Sequence, residues 1–161
     1  MTLLRLAGSL LAAGLLAAAL GAGAEEHPAS LHIHDAYARV SGGIGASGAV
    51  FFMIHNGTEA DLVITGATSP QASKAGLHTH VAGADGMMQM LPIEGGVALP
   101  AGATHSFERG ADHVMLMGLT EALADGASLT LTLTFDAAPP LTVTVPIDNA
   151  RQPGAVPMQG H

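Results

Sequence analysis

Alternation is the first regularity in this chain. Across residues 128–135, SLTLTLTF, Leu129, Leu131 and Leu133 fall on one side and Thr130, Thr132 and Thr134 on the other. That period of two belongs to a half-buried strand. Residues 140–147, PLTVTVPI, repeat it. Residues 31–40, LHIHDAYARV, set Leu31 and Ile33 against His32 and His34. Residues 49–56, AVFFMIHN, are densely apolar, as in a strand buried on both faces, with Met53 in its core and His55 at its end; the Asn56-Gly57 pair ends it with a turn. Further strands are predicted at 61–69, 74–82, 87–94, 104–108 and 112–119.

Turn signals separate these segments: GADG at 83–86, GG at 95–96 and PAGA at 100–103, with 121–127 a turn or a single helical turn. The Gly-rich loop at 41–48 has no following Lys and opens no helix, so it is not a phosphate loop. Eight or nine short strands without a long 3.6-period segment predict an all-β domain, a sandwich or Greek-key barrel.

The first 24 residues stand outside this pattern. Arg5, an apolar run from about Leu10 to Leu20, and a small-residue AGA at 22–24 read as a secretory signal peptide, with cleavage after Ala24. The run is short for a membrane span, and an uncleaved anchor would leave the domain in the same exported compartment. The expected layout is leader 1–24, one domain 25–148, and a Pro-, Gly- and Gln-bearing mobile tail 149–161.

Composition narrows the chemistry. The formal net charge is −8, and beyond the leader the cations are Arg39, Lys74, Arg109 and Arg151. Nucleic acid is therefore not an expected partner, since it needs clustered positive charge. The chain has no Cys, which removes disulfides, thiolate zinc sites and Cys-ligated blue copper together. Against few aromatics, nine His and eight Met stand out.

Three segments present those residues on one strand face. His78 and His80 share a face, Met88 and Met90 share another after the GADG turn, and His113, Met115 and Met117 form a third. Met87 points the other way and reads as core. Thioether sulfur is soft and neutral, unsuited to Ca²⁺ or Mg²⁺ and unusual for Zn²⁺. Two Met with two His suit Cu(I). Same-face neighbours lie about 6 to 7 Å apart along a strand, so His113 and Met115 can share an ion. Met117 is about 13 Å from His113 and reads as packing. His80 and Met88 stay open as supporting groups or alternative ligands.

The text at 76–119, GLHTHVAGADGMMQMLPIEGGVALPAGATHSFERGADHVMLMGL, resembles the periplasmic copper chaperones of the PCu(A)C type. The resemblance is specific over about 45 residues and extends more loosely over 33–148. It implies a cupredoxin-like Greek-key β-sandwich with Cu(I) bound by His78, Met90, His113 and Met115. It also implies a periplasmic location and delivery to the binuclear copper site of cytochrome c oxidase, directly to an oxidase subunit or through another oxidase assembly factor. GADH before the metal-binding pair departs from the family's Gly-Gly-aromatic.

A second site, for Cu(II), is an open expectation at His27, His32 and His34, or at Met158 and His161 near the end of the tail. No Ser/His/Asp arrangement or carboxylate pair has defensible spacing, so no enzyme activity is expected. Copper storage or detoxification, or a structural sandwich without metal, are the alternative readings.

Overall fold

The computed structural model describes residues 30–153. The leader, His27, Met158 and His161 lie outside the described residues. Ten strands follow one another: β1 (Leu31–Ser41), β2 (Ser47–Asn56), β3 (Leu62–Thr68), β4 (Ala72–Ala82), β5 (Met88–Pro92), β6 (Val97–Leu99), β7 (Thr104–Phe107), β8 (His113–Leu119), β9 (Ser128–Phe135) and β10 (Leu141–Pro146). Among the described residues there is no helix.

The strands form two antiparallel sheets. One runs β1-β2-β8-β4-β5, with β7 also paired to β2; the other runs β10-β9-β3-β6. Their inner faces supply the core, in which Val50, Ile54, Leu116, Leu131, Leu133 and Val145 are fully buried. Burying one such side chain contributes about 1.5–3 kcal/mol. Phe52 on β2 stacks on Phe107 on β7, ring centroids 4.5 Å apart. With few aromatics, aliphatic contacts between the sheets supply most of the remaining packing.

The alternation on β9 has the expected outcome: its leucines enter the core and its threonines stay outside. β6 is the strand that sequence pattern does not reveal. It has three residues between GG and PAG, and it exists because Val97 and Leu99 pair with Ile64 and Leu62 and bury against them. Gly96 leads into it at φ +84°, where a Cβ would collide with the Ile64 carbonyl oxygen, so a side chain is excluded twice over.

Two features orient the outer face of the larger sheet. On β1 the register shifts between His34 and Tyr37, with Asp35 at φ 61°. This irregularity lets Leu31 and Ile33 on one side of it, and Ala38 and Val40 on the other, all pack on the core. His32, His34 and Tyr37 consequently face outward. The stretch after residue 148, expected to be mobile, is tied down at its start. Asn149 Oδ1 accepts from the Val40 amide at 2.9 Å. Arg151 pairs with Asp35 at 2.6 Å and lies over the Tyr37 ring at 4.5 Å.

Met53 and Met87 differ from expectation. Met53 is 39% exposed, because Val50, Phe52 and Ile54 take the inner face of β2 and Met53 falls on the outer one. Met87 is 67% exposed, because it belongs to the turn before β5.

Candidate metal centre

β8 lies between β2 and β4, and β4 lies between β8 and β5. Val114 and Leu116 enter the core, which turns His113, Met115 and Met117 to the outer face. The cross-strand neighbours of Met115 are Ala49 on β2 and Gly76 on β4. Both are small, so the Met115 side chain has open space on either side.

His113 stands opposite His78 on β4. It is only 2% exposed. Its ring centroid lies 5.0 Å from that of His80, 6.2 Å from that of His78 and 6.2 Å from that of Phe51. The Nδ1–H donates to the Ala111 carbonyl at 3.0 Å, which leaves the Nε2 lone pair free for a ligand. Burial pushes the pKa of His113 below the usual histidine value, and the neighbouring His80 and His78 add to the effect; the Ala111 carbonyl and Asp112 oppose it. The lowered pKa favours the neutral ring, the form that binds metal.

The β4–β5 hairpin decides which histidine meets which methionine. Ala82 pairs with Met88, so residues 83–87 form a five-residue turn, closed by the Gly83 amide donating to the Met87 carbonyl at 2.8 Å. In this register His80 stands directly opposite Met90, and His78 opposite Pro92. A four-residue turn at 83–86 would shift the pairing by one and place Gln89 opposite His80, with Met88 and Met90 on the other face.

A hollow of about 600 Å³ opens on this face, lined by His80, Met88, Met90, His113, Met115 and Phe51 among others. Of the four expected ligands, Met90, His113 and Met115 line it together. His78 does not; its Nδ1–H donates to the Gly76 carbonyl at 3.2 Å, and its ring sits beside the hollow next to His113. His80 lines the hollow in its place, and its Nδ1 is buried with no hydrogen-bond partner. Leaving such a group unpaired costs about 1–3 kcal/mol, and a bound cation would satisfy it.

Among the described residues no three of His, Asp and Glu converge into a metal cage. The hollow therefore offers two imidazoles with thioethers, a neutral and soft donor set. It favours a soft monovalent ion over Zn²⁺ or Ca²⁺.

The family model for LpqE-like lipoproteins matches residues 31–147. The chain belongs to the LpqE-like family, within the PCuAC type. The LpqE-like protein is 34% identical over 99 residues to a protein of Leifsonia xyli subsp. xyli named as a lipoprotein; the match covers 62% of this chain and spans 59% of that relative's length. The solution structure of Cu(I)-loaded DR1885 from Deinococcus radiodurans is 28% identical, with TM-score 0.55, over 83% of this chain and 87% of that one. The apo PCuAC domain of PmoF1 is 19% identical, with TM-score 0.59, over 73% and 92%, and shares the fold. The LpqE-like protein thus has the cupredoxin-like β-sandwich of PCuAC domains.

Proposed function

We propose that this LpqE-like protein is a copper chaperone of the exported compartment, carrying one Cu(I) on the outer face of its larger sheet. His113, Met115 and Met90 each supply one donor, and β4 supplies a second imidazole. The spacing of the family pattern favours His78 for that role. The hollow favours His80, which stands opposite Met90 and brings a buried nitrogen without a partner. That unpaired nitrogen, in a hollow it shares with His113, Met90 and Met115, is the observation that carries the reading. The Cu(I)-loaded relative DR1885 supports it.

Delivery follows from the donor set. Neutral ligands leave the ion its full charge, so binding is finite and exchangeable. Met90 is 45% exposed, so an incoming sulfur or imidazole can replace it first, with His113 held last by its burial. The acceptor in this reading is the binuclear copper site of cytochrome c oxidase, reached directly or through another assembly factor, and the location is the periplasm. The lipoprotein name of the Leifsonia relative supports an exported protein.

The test is competition for Cu(I) between the full-length apo chain and a chromophoric chelator. One equivalent should bind, and His113→Ala and Met115→Ala should each weaken binding at least tenfold. Unchanged affinity in both variants would refute the assignment.

A further inference from the structure

The register of β1 on β2 assembles a second group of donors on the same sheet face. His32 stands opposite His55, and His34 opposite Met53. Side chains directly opposed across an antiparallel pair have Cβ atoms about 4.5–5.5 Å apart. Ile54 between Met53 and His55 is fully buried, and Ile33 packs against the core, so all four donors point outward. The rings of His32 and His34 already stack, centroids 6.2 Å apart.

Two of these imidazoles are held at one nitrogen only by the hydrogen bonds seen here. His55 Nδ1 bonds Thr104 Oγ1 on β7 at 3.0 Å, and His32 Nε2 bonds Ser30 Oγ at 2.9 Å. Each keeps its other ring nitrogen for a ligand. Among the described residues the three rings do not close around one point. Closure asks for side-chain rotation at His34, which is exposed, and at the half-buried His32 and His55, on a β2 backbone paired to β1 on one side and β7 on the other.

We propose that His32, His34 and His55, with Met53 beside them, form a second metal site that takes Cu(II). Imidazoles outnumber the thioether here, which suits a borderline divalent ion, and Cu(II) heads the affinity order for nitrogen ligands among those ions. On β2, Met53 is four residues from Ala49, the neighbour of Met115, or about 13 Å. Phe51 lies between them. The two sites are therefore independent, and the second goes beyond the Cu(I) reading without resting on it.

The full-length chain, carrying one Cu(I), is titrated with Cu(II) and followed by paramagnetic broadening of amide resonances. Broadening should centre on residues 32–34 and 53–55, with nitrogen hyperfine structure in the electron paramagnetic resonance spectrum. The surface variant His32→Ala/His34→Ala/His55→Ala should lose at least tenfold in Cu(II) affinity while its Cu(I) affinity holds. Absence of Cu(II) binding, broadening centred on 158–161 or on 78–90, or undiminished Cu(II) affinity in the triple variant would each overturn the proposal.

Discussion

His80 and Met90 stand directly opposite each other across the β4–β5 hairpin, and His80 also stacks against the buried ring of His113. This relationship joins three strands at one point of the outer face. It makes the two β4 histidines experimentally separable. His80→Ala should lower Cu(I) affinity at least tenfold, whereas His78→Ala, already bonded to Gly76, should lower it less. Competition titration of both variants measures the difference; the reverse ranking would return the ligand role to His78.

The turn at 83–87 sets that register, so its length should matter more than its composition. Deleting Ala84 while the hairpin keeps its five-residue turn draws Met88 into that turn and pairs Ala82 with Gln89. Side-chain parity on β5 then reverses relative to β4, and Leu91 replaces Met90 opposite His80. Cu(I) affinity should fall tenfold or more while circular dichroism keeps its β signature. Substituting Ala84 by Ser, without changing the length, should leave affinity intact.

Acid should weaken the apo fold through His113. Its folded pKa is depressed by burial, so as pH falls the unfolded chain takes up this proton first. Its stabilising contribution is intact above the unfolded value near 6.5 and is lost as pH falls below it. Urea unfolding of the apo chain at pH 7.5 and 5.5 should show that loss. A His113→Gln variant should show a smaller difference between the two pH values.

Two core substitutions test the sandwich independently of metal. Leu131→Ala, at a fully buried position, should cost about 2–5 kcal/mol. Gly96→Ala meets both a positive φ and the Ile64 carbonyl, and should cost about 1–3 kcal/mol by detaching β6 from β3. Chemical denaturation measures both, and an unchanged midpoint for Gly96→Ala would show that β6 contributes little.

Much of the fold was legible because burial on one face imposes a period of two. SLTLTLTF and PLTVTVPI could hardly be anything other than half-buried strands, and the Asn56-Gly57, GADG, GG and PAGA turn signals bounded their neighbours. β6 escaped because three residues are too few to show a period; its pairing with β3 holds it. Met53 was misread as core because a dense apolar run hides which alternate residues face inward. Met87 was misread because its place in a five-residue turn, rather than on β5, depends on hairpin register.

The candidate site divides the same way. Alternation along HVMLM was enough to put His113 and Met115 on one face, and the absence of Cys with the surplus of Met and His was enough to favour a soft ion. Those are properties of single strands and of composition, which local sequence carries. The placing of His80 rather than His78 in the hollow, the small neighbours Ala49 and Gly76 beside Met115, and the facing of His32 and His34 by His55 and Met53 all depend on pairing between strands. Pairing is set by turn length and by the burial of the opposite faces against a second sheet, so it is decided only when the whole sandwich closes.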